Sequence, residues 1–168
     1  NIIGQQVPPF MMDYHPGSSK VVTMDKWDGY PEAQRSFAAQ LSHAHAVPLT
    51  LAGDAHQHVA AQRRHARTGI PWGADLVATS VSSGGDGQAL DDYWDQLRLT
   101  NPDLIYNSRR RGYILLDIAP EFVDIQFRTL NQITRLEHKL LLDARGRLNR
   151  DGKFSIKTIA EVLTDVPR

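Results

Sequence analysis

Six residues, Val47-Pro48-Leu49-Thr50-Leu51-Ala52, form an apolar run too short for a helix, and it stops at Gly53-Asp54-Ala55-His56-Gln57-His58. A short apolar run bounded by turn signals reads as a buried strand. The segments around it set the layers. Upstream, Pro31 sits well in a first helical turn, and Ala33, Phe37, Leu41 and Ala44 recur at helical spacing. Downstream, Leu76 to Val81 reads as a second strand, broken by Ser82-Ser83-Gly84-Gly85-Asp86-Gly87. Leu90, Tyr93, Trp94 and Leu97 then mark a helix that Asn101-Pro102 ends.

The remaining segments change in character. Asn1 to Val7 reads as a short strand stopped by Pro8-Pro9, and Met11 to Trp27 as a long irregular excursion, a length that inside a compact domain goes with function or mobility. Late in the chain Tyr113 to Ile118, Val123 to Leu130 and Leu136 to Asp143 read as consecutive strands, with turn signals at Asp117 to Glu121 and Ala144 to Asn149. Phe154 to Leu163 fits either strand or helix. Helices between early strands, then strands in succession, predict a layered α/β sandwich with a mixed sheet and late antiparallel strands. Chemistry in such folds gathers in loops beyond the strand ends, where Gly53 to His58 and Ser82 to Gly87 fall.

Composition excludes several classes. At 168 residues and 41% apolar content the chain can bury a core of its own. Equal numbers of basic and acidic residues leave no electrostatic footprint for nonspecific nucleic-acid binding. The absence of Cys removes disulfides, thiolate metal sites and cysteine nucleophiles together. No apolar run approaches the ~20 residues of a transmembrane helix. The chain opens at Asn1-Ile2-Ile3 without Met and like the inside of a strand, so it is expected to be the later part of a longer gene product.

Asp54 and His56 stand two apart, which on an extended backbone points them to one side, and a carboxylate with an imidazole suits a hard or borderline cation. Asp-x-His is also an ordinary turn composition, and two ligands do not make a site. His58 continues the alternation as an outer or substrate-contacting group. His43 and His45 read as capping or exposed groups, Arg63 to Arg67 as a solvated charge run or an anion site, and Arg109-Arg110-Arg111 as ion-pair formers or a phosphate site. Trp27 and Tyr30 are expected to pack at the helix start, and Tyr93 and Trp94 in the core. Ser82 and Ser83 lack the Gly-x-Ser-x-Gly elbow of a serine hydrolase.

In order along the chain, Gly4-Gln5-Gln6-Val7, Trp27-Asp28-Gly29-Tyr30-Pro31, Leu51-Ala52-Gly53-Asp54-Ala55-His56, Ser80 to Gly87, Asn101-Pro102 and Arg111-Gly112-Tyr113 resemble the PhoD-like alkaline phosphatase/phosphodiesterases of the calcineurin-like metallophosphatase superfamily. The resemblance is strong up to about Ala119 and weaker from Leu130. It implies a metal-dependent phosphoesterase in which a dinuclear centre, iron beside calcium, activates a hydroxide, with Asp54 ligating one metal and His56 the other. It leaves orientation of the phosphate to His58, to Ser82 or Ser83, or to an arginine, Arg64 or Arg111, with His58 and Arg111 as catalytic candidates. A periplasmic or secreted setting is implied on the same footing.

The family's other ligand motifs, Gly-Asp-x-x-Tyr and a Cys among them, are absent. Residues 1–168 therefore look like the C-terminal part of one metallophosphatase domain, with 130–168 as an extension. A companion chain is expected to carry the rest, or the chain is a fragment, and alone it is expected to be poorly soluble because strand edges and one sheet face lie open. The alternative from another class is an interaction or structural subunit that keeps the fold and has lost metal.

Overall fold

The computed structural model describes residues 1–15, 17, 19–88 and 92–164. Five strands, β1 (Ile2–Gly4), β2 (Leu49–Ala52), β3 (His58–Arg64), β4 (Pro71–Val77) and β5 (Leu104–Ser108), form a mixed sheet in the spatial order β1-β2-β4-β3-β5. β2 lies parallel to β1 and β4, and β3 antiparallel to β4 and β5. Four more, β6 (Gly112–Ile118), β7 (Phe122–Leu130), β8 (Leu140–Asn149) and β9 (Phe154–Val162), form an antiparallel sheet in sequence order. The expected mixed sheet and late antiparallel strands are both present.

The sheets pack face to face. Leu49, Ala60, Ala74, Leu76 and Tyr106 of the first meet Ile125, Phe127, Ala144, Leu148 and Phe154 of the second. Phe127 is fully buried, its ring 4.5 Å from that of Tyr106. The mixed sheet's other face is covered too, because Phe10 and Met12 of the long excursion and Trp94 and Leu97 of a helix close over Val59, Ala61, Val77 and Leu104. The excursion is thus a packed cover: the Asn101 side-chain amide exchanges hydrogen bonds with the backbone of Asp13 at 2.8 Å in both directions. The sheet face expected to lie open is closed by the chain itself. No helix among the described residues is long and apolar enough to cross a membrane.

Among the described residues there are two α-helices, α1 (Pro31–Ser42) and α2 (Asp92–Thr100). Leu90 and the Tyr93 side chain lie outside the described residues, whereas Trp94 and Leu97 are buried as expected. Trp27 stacks on Phe37 at 5.1 Å and fixes the start of α1, but the Tyr30 side chain is exposed and contributes only its backbone. Nor is Ala33 part of a buried stripe, since Gln34 is the buried residue of that helix.

Four strands depart from the sequence reading: β4, β3, β5 and β8. β4 begins at Pro71, a position a strand tolerates because its first residue need not donate to the ladder, and it ends at Val77 rather than Val81. β3 and β5 escape a hydrophobicity reading because Gln62, Arg63, Asn107 and Ser108 interrupt their apolar positions. The turn expected at Ala144 to Asn149 lies inside β8, where Gly146 is needed for packing: a Cβ there would stand 2.5 Å from the Phe154 ring. The turn itself comes at Asn149 to Lys153, with Gly152 at φ 80°. Leu136 is fully exposed in the β7–β8 connection, and β8 starts only at Leu140. The segment from Phe154, open between helix and strand, is β9.

Gln62 pins the two sheets together at one end. Its amide nitrogen donates to the carbonyls of Gly73 (2.7 Å) and Gly152 (2.9 Å), and its oxygen accepts from the Phe154 N–H (2.8 Å). Gln62→Leu leaves buried backbone groups without these partners, so it is expected to lower unfolding free energy by about 2–3 kcal/mol in urea titrations. An unchanged midpoint contradicts the pin.

Candidate metal centre

One end of the sandwich collects the strand ends that matter. Ala52 at the end of β2 pairs with Val77 at the end of β4, Val59 also pairs with Val77, and His58 at the start of β3 pairs with Ser108 at the end of β5. The loops leaving this rim are Gly53 to Gln57, Ala78 to Gln88 and Arg109 to Arg111. These are the loops where the sequence concentrates Asp, His, Ser, Gly and Arg.

Asp54 and His56 are exposed on the first of these loops. The backbone is not extended here, so alternation does not explain their orientation. Both residues have left-handed φ, 69° and 51°, and Ala55 N–H bonds back to the Gly53 carbonyl at 2.9 Å. Only Ala160 shares that conformation among described non-glycine residues. Left-handed L-residues cost of order 1–3 kcal/mol each and gather at functional sites. Two of the three fall on the two candidate ligands.

Lys26 approaches the Asp54 carboxylate at 3.5 Å. The excursion delivers it: Lys26 immediately precedes the 3-10 turn Trp27–Gly29, and buried Asp28 accepts the Met12 N–H at 3.4 Å. The cationic Nζ shows where positive charge is favoured beside this carboxylate. Lys26 was not singled out in sequence, although it adjoins the Trp27-Asp28-Gly29-Tyr30 motif.

His58 is completely buried, its ring edge-on to Phe127 at 5.4 Å. Burial pushes its pKa down to about 4, against an opposing pull from the Asp143 carboxylate. Nδ1 accepts the Thr79 N–H at 3.3 Å, which fixes a neutral ring with the proton on Nε2. The ring sits in the core, where the sequence reading expected an outer or substrate-contacting group. It joins the ligand loop to the end of β4 instead. Asn107, unremarked in sequence because a polar residue in a strand carries no motif signal, adds a second brace: its Nδ2 donates to Gln57 Oε1 (3.1 Å) and to the His58 carbonyl (3.0 Å).

Ser82 and Ser83 are exposed on the glycine-rich loop. Asp86 fixes that loop to the β7–β8 connection, accepting from the N–H groups of Ile133 (2.6 Å) and Thr134 (2.9 Å) and from the Thr134 hydroxyl (2.7 Å); these bonds hold its pKa down. Gly87, at φ 71°, leaves no room for a Cβ against the Arg109 carbonyl and the Arg111 guanidinium. Arg111 is buried beneath both loops.

Arg64 is not at the rim. It ends β3, six residues from His58 and so roughly 20 Å away along an extended strand, where it pairs with Asp103 at 3.3 Å. The anion site considered around Arg63 to Arg67 thus lies at the opposite end, and Arg63 makes a buried ion pair with Asp75 (2.5 Å). Arg110 pairs with Asp143 at 3.1 Å. His43 caps α1, its Nδ1 2.7 Å from the Ala39 carbonyl, and His45 is exposed. A cavity of about 470 Å³ lies away from the rim, among Val47, Pro71, Phe122 and Asn149; His45 lines it, and Asp54, His56, His58, Arg64, Ser82, Ser83 and Arg111 do not. The ligand-type side chains and the left-handed backbone lie at the rim instead.

Among the described residues no three His, Asp or Glu side chains converge. Asp54 and His56 provide one hard oxygen donor and one imidazole, both accessible, which fits part of a metal shell.

The PhoD-like phosphatase family model matches residues 1–127, reaching into β7 and stopping before the segment where the sequence resemblance weakens. Among curated proteins, alkaline phosphatase D of Bacillus subtilis (strain 168) is 29% identical over 144 residues, which cover 80% of this chain and 24% of that protein. Among solved structures, one titled "Structure of PhoD" superposes with a TM-score of 0.85 at 23% identity, over 96% of this chain and 31% of that one. At that identity the superposition speaks for the fold. The chain spans about a quarter of the length of the curated relative it matches.

Proposed function

The chain belongs to the PhoD-like phosphatase family, and on that premise we propose that residues 1–168 supply the late ligands and the substrate-loop side of a metal-dependent phosphoesterase site. The observation that carries this reading is the strained turn: Asp54 and His56, the two positions that match the family motif, are both held in left-handed conformation on the sheet's rim. A turn kept at such cost fits a ligand loop better than a plain connection.

In this reading Asp54 and His56 each hold one metal of an iron–calcium pair. The metals, when bound, acidify a water and neutralise phosphoryl charge. Asp54 exchanges Lys26 for a cation. The Ser82 and Ser83 hydroxyls face the phosphoryl oxygens as donors, and neutral His58 keeps the ligand loop seated on β4. The substrate is a phosphomonoester or phosphodiester. Polypeptide outside residues 1–168, on a companion chain, completes the metal shell, which accords with the short coverage of the relatives and with two accessible ligands on this chain. A periplasmic or secreted setting belongs to the same proposal.

Metal analysis with intact-mass measurement on the purified material tests this. Iron and calcium with a co-purifying polypeptide support it; a clean chain devoid of metal favours a structural subunit instead. For the buried imidazole, His58→Ala is expected to keep metal while hydrolysis slows about 10–100-fold. Truncating a buried ring also costs about 2–4 kcal/mol of stability. Loss of metal as complete as in His56→Ala makes His58 a ligand and contradicts its seat in the core.

A further inference from the structure

Arg111 is 3% exposed, and among the described residues no carboxylate partners it. Its two terminal nitrogens bond neutral acceptors, while the buried Nε has no partner: Nη1 donates to the Ser80 hydroxyl (2.5 Å) and the Ser83 carbonyl, and Nη2 to the His56 carbonyl (3.0 Å) and the Arg109 carbonyl. Burying a guanidinium without a counter-charge is expensive, and neighbouring Arg109 adds repulsion that, after desolvation, weakens its hold on the proton. A structural arginine finds a carboxylate, as Arg110 does with Asp143 and Arg63 with Asp75.

The acceptors explain the position. The His56 carbonyl belongs to the candidate ligand loop, and Ser80 and Ser83 belong to the glycine-rich loop. These loops leave different strands, β2 and β4, and one planar fork bonds both at once. The fork's geometry is fixed, so the spacing of its acceptors is fixed with it. Gly84 and Gly87 let the loop fold onto the guanidinium: a Cβ at Gly84 would stand 3.4 Å from Nη1 and one at Gly87 2.9 Å from Nη2.

We propose that Arg111 is a positioning residue that locks the Asp54/His56 loop to the Ser82/Ser83 loop, so that metal and phosphoryl group are presented at one fixed separation. This rests on the phosphoesterase reading for its purpose but not for its geometry. It differs from the phosphate clamp that an arginine in this motif suggests, because the donors of Nη1 and Nη2 already go to the two loops.

Arg111→Lys keeps the charge and loses the fork. By amide hydrogen exchange on the purified protein, protection is expected to fall at least about tenfold in 53–58 and 80–87 together, the loss of a charge-assisted bond, with Val59 to Gln62 unchanged. Ser80→Ala, which removes one arm with little risk to folding, should loosen 80–87 alone. In the completed enzyme Arg111→Lys should lower metal affinity and kcat about 10–100-fold while KM for p-nitrophenyl phosphate stays within about twofold. A raised KM with kcat and loop exchange unchanged makes Arg111 a substrate clamp and overturns the proposal. So does loosening of only one loop in Arg111→Lys. If the wild-type completed enzyme hydrolyses no phosphoester, the phosphoesterase reading falls, and the paired exchange change still decides whether Arg111 is the lock.

Discussion

His56→Ala is expected to cut phosphoester hydrolysis by the completed enzyme at least about a hundredfold and to lower bound metal with it. Residues that merely support a metal ligand already cost about 10–100-fold when removed, so a direct ligand costs more. The fold should survive. His56 is exposed, and Arg111 holds this residue through its carbonyl, which alanine keeps. A control separates ligand loss from unfolding: at φ 51° glycine is relieved of the left-handed cost, so His56→Gly should be as stable as wild type or more so by up to about 1 kcal/mol, and equally inactive. Activity and metal content near wild type in either variant remove His56 from the centre.

Residues 1–168 expressed alone are expected to hydrolyse p-nitrophenyl phosphate at background rate with iron and calcium added, and to gain activity when a companion carrying the missing ligands is supplied. Two ligands leave each metal short of a shell, and weakly held metal is a poor source of nucleophile. The companion should raise stability and metal content together, since binding the folded form stabilises it by mass action. The isolated chain should nonetheless fold, because the mixed sheet is covered on both faces, by the antiparallel sheet and by the excursion with α2. The original expectation of poor solubility therefore narrows to the unpaired edges, β1 among them. Efficient turnover by the isolated chain means that it builds its site from ligands beyond Asp54 and His56.

How much was legible in the sequence depends on what a residue announces locally. β2 announces itself through an apolar run and β7 through apolar–polar alternation, each with turn residues nearby, and the rim follows once the order of elements is known. Gly53-Asp54-Ala55-His56 is legible as a motif, but its left-handed backbone is not, since Asp and His tolerate that conformation without demanding it. β3 is the instructive miss. Gln62, Arg63 and Arg64 look like the start of a solvated charge run, yet Gln62 is satisfied by Gly152 and Phe154, ninety residues downstream, and Arg63 by Asp75. β3 runs from His58 to Arg64, which sets Arg64 at the far end of the sheet from the Asp54/His56 loop. The burial of His58 is hidden for the same reason: as the first residue of a strand paired to β4 and β5 it turns into the core. Lys26, Asn107 and the double grip of Arg111 depend on contacts between segments distant in sequence, and no spacing rule encodes them.

The most direct measurement is anomalous diffraction at the metal edges from crystals of the completed enzyme. Metal is predicted within about 2–2.5 Å of an Asp54 carboxylate oxygen and of an imidazole nitrogen of His56, with Lys26 withdrawn from Asp54. Metal bound elsewhere, with Lys26 still on Asp54 and the His56 ring free, contradicts the claim that this loop is part of the centre.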